Sequence, residues 1–341
     1  MSRGIVSGLI LAAGALSMTV AADQGPRPEG LLQQPQGPWK PGMEARIEKL
    51  RDNVYRILNT GANCTAFVTR NNGVVLIESG YPGWGHEILN KLKSVTTKPI
   101  TIVISTHTHV DHTGSNVELG MAQNIEFVAH ENTRVNLARE RCANVGGCQN
   151  FHGENATYLP KRTFRDKMSL LSGEDRIDLS YYGRAHTNGD IVVVFPALRL
   201  AHVGDLFAWH GVPRVMTEDG GSVVEFPETL TKAQATIANV DTVITGHSRV
   251  MPWKEWIEVR DFLAFYVGEV KAARKAGKTV DEAVAGLKWP ERFKVCPPQD
   301  TFTSQYAADY PKLHGDCVFR TDQLRADTEI AYHELEKQAD E

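Results

Sequence analysis

The sequence predicts an α+β domain built from two β-sheets with helices packed on their outer faces. Three observations carry that prediction. Short β-branched, apolar runs at residues 54–58, 64–69, 74–77 and 100–105 read as strands that lie close together in the chain. Helical periodicity separates some strands but not others, so the order alternates only in part, unlike a purely parallel α/β sheet. The chain of 341 residues is 42% hydrophobic, which supplies ample material for a core.

Each element follows from local chemistry. Arg3, an almost uncharged apolar run over 5–20 and the small residues Ala21 and Ala22 read as a signal peptide over 1–22, removed before folding. The run is shorter than the roughly 20 apolar residues of a membrane span. Residues 23–45 hold Pro26, Pro28, Pro35, Pro38 and Pro41 and read as a loose leader. Regular structure is expected from near Asn53, within a domain over 46–250. Asn71-Asn72-Gly73 is a tight turn between two strands. A helix is expected over 82–95, a buried strand over 100–105, a strand over 125–129 and a helix over 131–142. Residues 143–165 read as an irregular insertion. Strands follow at 175–182, 191–195 and 198–203, then a helix at 227–239 and a last buried strand at 242–245. Beyond 251 the pattern is helical, over 253–276, 280–286 and 322–338, which makes 251–341 a helical C-terminal extension.

The net charge is −4 and no basic block stands out, which argues against a nucleic-acid partner. No internal repeat is visible. Export would place the five cysteines in an oxidising compartment. Cys142 and Cys148 flank a turn-rich stretch suited to a small disulfide loop, and Cys296 and Cys317 are suited to staple the C-terminal region. Cys64 lies in an apolar strand pattern and reads as a buried free thiol. None of the five has the spacing of a zinc knuckle.

The sharpest signal is His107-Thr108-His109-Val110-Asp111-His112, just past the buried strand over 100–105. In an extended backbone, residues two apart share a side, so His107, His109 and Asp111 are expected to converge and His112 to point elsewhere. One ion cannot easily take all four ligands from so short a stretch, and the spacing suits two neighbouring ions. Partners must then come from distant chain. His186 lies in a Gly-containing turn, and His247 directly follows the strand over 242–245. Asp205 sits beside Gly204 at a strand exit, where a carboxylate is well placed to bridge two cations.

Together these residues resemble the metal-ligand set of the metallo-β-lactamase superfamily, over residues 54–248. The resemblance implies a four-layer αββα sandwich and two zinc ions per chain. It assigns His107, His109 and His186 to the first ion and Asp111, His112 and His247 to the second, with Asp205 bridging. Imidazole with some carboxylate suits Zn²⁺. Diiron relatives usually carry Glu where this chain has His109. Two zinc ions less two aspartates and one hydroxide leave a net positive site. The implied reaction is attack of a bridging hydroxide on a carbonyl carbon, with Asp111 orienting it and shuttling its proton.

Two departures from the superfamily stand out. Glu78 occupies a position where relatives commonly have Asp, and Asp205 stands where true β-lactamases typically place Cys or Ser. His112, by contrast, matches a subclass of β-lactamases. The implied substrate is a small molecule, a β-lactam or lactone. The alternatives are hydrolysis of linear, phosphate or sulfate esters, and a non-catalytic zinc-binding protein. Export argues against thioester work in glutathione-rich compartments and points to a periplasmic or secreted enzyme, with no membrane insertion once the signal is removed. His210 and Arg214, in the loop after Asp205, are candidate substrate contacts, Arg214 for a carboxylate. Tyr81, Trp84, Phe207 and Trp209 are candidates for an apolar cleft wall.

Overall fold

Period-two alternation along the strands builds the centre of the molecule. The computed structural model describes residues 44–139, 141–143, 147–149, 151–208, 210–295 and 323–340, with Met1, Phe319 and Thr321. The first sheet contains β1 (Arg46–Arg51), β2 (Val54–Leu58), β3 (Cys64–Val68), β4 (Val74–Ile77), β5 (Ile100–Ile104), β6 (Glu126–His130) and β9 (Arg162–Phe164), in that order. Its first four strands form an antiparallel meander, and β4, β5, β6 and β9 are parallel. The second sheet runs β10 (Lys167–Leu170), β11 (Ile177–Tyr181), β12 (Ile191–Phe195), β13 (Leu200–His202), β14 (Thr242–Ile244) and β15 (Met251–Pro252). It is antiparallel apart from the parallel pair β13–β14. A small hairpin joins β7 (Arg141–Ala143) to β8 (Gly147–Gln149).

Three cores make the four layers. Val75, Ile77, Ile102 and Ile104 from the first sheet meet Ile191, Val193, Leu200 and Ile244 from the second, which fills the space between them. The alternate residues Val74, Leu76 and Val103 face the other way, onto Ile88 and Leu92 of α1 (Gly85–Lys93) and Leu119 of α3 (Asn116–Ala122). On the second sheet, Val192, Ala201 and Val243 face outward onto α5 (Phe226–Thr236), α6 (Trp253–Lys275) and α8 (Leu324–Asp340). Each such aliphatic side chain stabilises the fold by roughly 1.5–3 kcal/mol when fully buried. The expected αββα sandwich is therefore the observed one. The C-terminal helices, with α7 (Val280–Gly286) between α6 and α8, cover the outer face of the second sheet.

Several expectations need correction. Regular structure begins before Asn53, because the charged run Arg46–Arg51 forms an edge strand. Charged, half-exposed residues suit an edge, where they discourage further pairing, but they hide the strand from an apolar-period reading. The helix expected over 131–142 ends at Leu137 in α4 (Glu131–Leu137), and Arg141–Ala143 turns into the hairpin. Arg141, a good helix former, is taken into strand pairing instead. The stretch 143–165 is no mere insertion. It supplies β8 and also β9, which extends the first sheet with only Phe164 of its three residues buried. The strand β10 was hidden in the same way by a half-exposed pattern.

Cys64 is a buried free thiol, as expected, and burial pushes its pKa up to about 12. In the hairpin, Cys142 is the direct register partner of Cys148. All of the signal segment 1–22 but Met1, nearly all of the leader, Cys296, Cys317 and Trp209 lie outside the described residues. Among the described residues, no helix is long and apolar enough to cross a membrane.

Candidate metal centre

Strand ends at one edge of the sandwich deliver the site. The motif leaves β5, Asp205 follows β13, His247 follows β14, and His186 precedes β12. The backbone does not stay extended through the motif. His109 is the last extended residue and caps α2 (Val110–Thr113), so Asp111 and His112 stand on a helical turn. That turn overturns the expectation that Asp111 converges with His107 and His109. His107 and His109 instead join His186 and Asp205 in one group of potential ligands, Asp111 joins His112 and His247 in a second, and His112 also stands with His107 and Glu78 in a third.

The donor atoms lie close together. His109 Nδ1 is 3.1 Å from His107 Nε2 and 2.8 Å from His186 Nε2. His112 Nε2 and His247 Nε2 are 3.3 Å apart. Asp205 reaches both groups: Oδ2 lies 3.5 Å from His186 Nε2 and 3.3 Å from His247 Nε2, and Oδ1 lies 3.4 Å from His112 Nε2. Asp111 Oδ2 is 3.1 Å from His247 Nε2.

The opposite ring nitrogens are held by outer partners. His186 Nδ1 donates to the Arg214 carbonyl and His247 Nδ1 to the Gly61 carbonyl. His112 Nδ1 faces Glu78 Oε1 at 3.3 Å, and His109 Nε2 faces Asp219 Oδ2 at 3.3 Å. In the neutral rings, protons kept on these outer nitrogens leave the inner nitrogens as lone pairs crowded around common points. Such pairs repel one another unless a cation lies between them, and imidazole with carboxylate is a zinc-type donor set. The residues fit the implied ions.

The protonation pattern divides the two groups. Burial, helped by the positive charge near His112, holds His107 well below its ordinary pKa. Burial and the neighbouring His109 push His186 down to about 3. For His247, burial is outweighed by Asp205 and Asp111, which raise it to about 10. His112 is likewise raised against its burial, by Asp111, Asp205 and Glu78. Asp111 and Asp205 are both lowered, because adjacent imidazolium charge overcomes their desolvation.

Sequence reasoning missed two supporting groups, Asp219 and Gly61. Asp219 lies in Asp219-Gly220-Gly221, and an acidic residue before two glycines is its only signal. Gly61 acts through its carbonyl, which leaves no side-chain signature. Glu78 was visible only as a departure. It is fully buried at φ 65°, and it reaches both the Thr106 hydroxyl and His112, so the longer side chain still supports the motif.

Other candidates do not join the ligand groups. His210 Nε2 is 2.6 Å from Glu255 Oε2 at the start of α6. The Arg214 side chain is exposed, while its carbonyl serves His186. Phe207 packs edge-on against Trp256 with ring centroids 4.6 Å apart, and Trp84 is buried against the first sheet; both are core. Tyr81 packs against Gly61, close enough to the site that Asp111 and Asp205 help burial to raise its hydroxyl pKa.

An αββα sandwich with paired His/Asp clusters at one edge defines a metal-dependent hydrolase. Residues 59–247, more than half of the chain, match the metallo-β-lactamase superfamily, and the chain belongs to it. It is 28% identical over 249 residues to a metallo-β-lactamase type 2 of Elizabethkingia meningoseptica, spanning 67% of this chain and 89% of the relative. It is 26% identical over 170 residues to a 2,4-dinitroanisole O-demethylase subunit alpha of Nocardioides sp. (strain JS1661), spanning 49% of this chain and 47% of that one. A metallo-β-lactamase structure from Pontibacter korlensis superposes with TM-score 0.53 at 19% identity, covering 65% of this chain and 99% of its own. The DIM-1 metallo-β-lactamase gives 0.52 at 19% identity, with 65% and 98% covered. These two likenesses concern the fold.

Proposed function

We propose that the protein is an exported zinc-dependent hydrolase that opens a cyclic amide or ester, a β-lactam or a lactone. The observation that carries the reading is Asp205, whose carboxylate lies within 3.5 Å of ligand nitrogens in both groups. That placement supports two cations held side by side, with His107, His109 and His186 on one, Asp111, His112 and His247 on the other, and Asp205 between them. When bound, such a pair supplies hydroxide at neutral pH and Lewis acidity toward a carbonyl. The match to a β-lactamase over 89% of its length favours a lactam-type substrate.

The chain's own groups supply the rest. Asp111 is ionised and flanks His247, so its free oxygen can accept a proton from the attacking water and return it to the departing nitrogen or oxygen. Arg214, exposed on the loop that serves His186, would hold a carboxylate on the substrate. His210 would line the same side, its ring fixed by Glu255.

Purified protein with two equivalents of zinc should turn over a chromogenic cephalosporin or an acyl-homoserine lactone. It should do so at least tenfold faster than nitrophenyl acetate or nitrophenyl phosphate, and lose the activity to a chelator. Preference for the phosphate or acetate ester would reject the cyclic-substrate reading. Full zinc occupancy with no turnover would leave a non-catalytic zinc protein. Export is tested by N-terminal sequencing of the protein recovered from the periplasm or medium, with Asp23 expected first.

A further inference from the structure

The C-terminal helix α8 lies beyond the residues that match the superfamily, yet it grips the loop that orients part of the metal centre. Glu334 accepts three hydrogen bonds from that loop. Its Oε2 takes the Ser222 hydroxyl at 2.7 Å and the Val224 N–H at 3.0 Å, and its Oε1 takes the Val223 N–H at 3.1 Å. Hydrogen bonds to a carboxylate are about twice as strong as neutral ones. Asp327 is buried two helical turns earlier on the same face, and its carboxylate accepts the Val215 N–H. Two carboxylates of one helix thus fasten both ends of the segment 215–224.

That segment is wrapped around His186. The Met216 N–H donates to the His186 carbonyl at 2.9 Å, and the Ser222 N–H to the Ala185 carbonyl at 2.8 Å. The Arg214 carbonyl, at the segment's edge, accepts from His186 Nδ1. Asp219, at its tip, faces His109 Nε2. A Cβ on Gly221 would overlap the His186 carbonyl, so the two backbones are in close contact. The outer nitrogens of the other group lean elsewhere: His112 on Glu78 and His247 on the Gly61 carbonyl.

We infer that Glu334 is a positioning residue for His186 and His109, so that the C-terminal helix sets the affinity of one metal site and not of the other. The inference rests on the two-ion reading above. It gives the C-terminal extension a function beyond covering the sheet, because the carboxylate acts on the metal ligands through the 215–224 segment.

The test uses the full chain and zinc alone, with each binding step read by competition against a chromophoric chelator. Wild type is expected to bind two ions. Glu334→Ala should weaken one step by about tenfold, the lower end of the effect of removing a ligand's outer partner, and leave the other unchanged. Glu334→Gln, which keeps an acceptor, should recover part of the loss. Ser222→Ala, which removes one of the three bonds along with the bond that Ser222 Oγ accepts from the Glu225 N–H, should shift the same step in the same direction. In a His247→Ala background, which removes a ligand of the other group, the remaining step should still respond to Glu334→Ala. A lower melting temperature with both zinc affinities unchanged would overturn the inference and leave α8 purely structural. Equal weakening of both steps would overturn it too. Failure of wild type to bind zinc would instead sink the two-ion reading itself.

Discussion

Asp219 Oδ2 lies 3.3 Å from His109 Nε2, while His109 Nδ1 is the nitrogen that faces His107 and His186. A carboxylate on one side of an imidazole keeps the proton there and makes the opposite nitrogen a better donor to a cation. His109 Nδ1 is that opposite nitrogen, and it sits between His107 Nε2 and His186 Nε2. Asp219 itself is almost fully buried, and its backbone carbonyl takes the Asn188 N–H at 2.9 Å, so the carboxylate is well fixed. Asp219→Ala is expected to weaken zinc binding by about 10–100-fold and to lower kcat/KM by a similar factor. Asp219→Asn, which can still accept a hydrogen bond, should fall between the two. Zinc titration of the three proteins checks the order, and equal affinities would remove Asp219 from the site.

Gly246 marks a second contact that only a small residue allows. A Cβ there would overlap Asp205 Oδ1, the carboxylate that reaches both ligand groups. The Gly246 backbone is itself tied down, since its N–H donates to the Gly204 carbonyl at 2.8 Å and its carbonyl accepts from Asn63 at 2.7 Å. The carboxylate must therefore be the part that moves. Gly246→Ala should cost about 1–3 kcal/mol of stability, typical of an overpacked core, and more than 100-fold in activity, on the scale of a lost electrostatic contact in an active site. Circular dichroism, denaturant melts and turnover on the preferred substrate separate the two effects. Native-like activity would show that Asp205 can relocate without consequence.

The contrast between His107 and Asp219 shows what the sequence could reveal. The motif from His107 to His112 packs four potential ligands into six positions, and His186, Asp205 and His247 each sit where a strand meets a turn, so the residues that the fold gathers into potential ligand groups were legible. Their grouping was not legible from spacing. The helical turn that starts at Val110 separates Asp111 from His109, and four helical residues are too few to leave a period. The apolar strands β4, β5, β12 and β14 were readable because both of their faces are buried. The edge strand β1 and the short strand β9 were not, because half-exposed charged residues carry no apolar alternation. Asp219 and Gly61 act through a turn and a backbone carbonyl, and neither leaves a pattern in a single sequence.

His202, which belongs to no ligand group, gives the molecule an acid limit. The alternation that points Leu200 into the space between the sheets points His202 there as well. Burial first, and then the positive charge near His112, push its pKa down to about 3. In the unfolded chain it would titrate near ~6.5. Below that pH the unfolded chain binds a proton that the folded chain refuses. The contribution of His202 to stability is therefore complete above ~6.5 and is lost progressively as pH falls toward 3, at about 1.4 kcal/mol per pH unit. His202→Leu should remove about one proton from the pH dependence of unfolding in that window, as read from urea melts at several pH values. An unchanged slope would mean that His202 is protonated in the fold.

Zinc uptake should depend on pH at one site far more than at the other. His186 is held down to about 3 and His107 well below its ordinary value, so both are already neutral at pH 7 and ready to donate. His247 is raised to about 10 and His112 is also raised, so both carry a proton at pH 7 that must leave before either can bind a cation. Lowering the pH from about 8 to about 6 opposes that release, and only at the site formed by Asp111, His112 and His247. Binding there should release about two protons per ion, one from each histidine, and its affinity should fall steeply over this range. The His107/His109/His186 site has no such release to make from His107 or His186. Calorimetric titration of the metal-free protein, in buffers of different ionisation enthalpy, counts the protons for each step. Identical proton release and identical pH dependence at both steps would contradict the division of charge between the two groups.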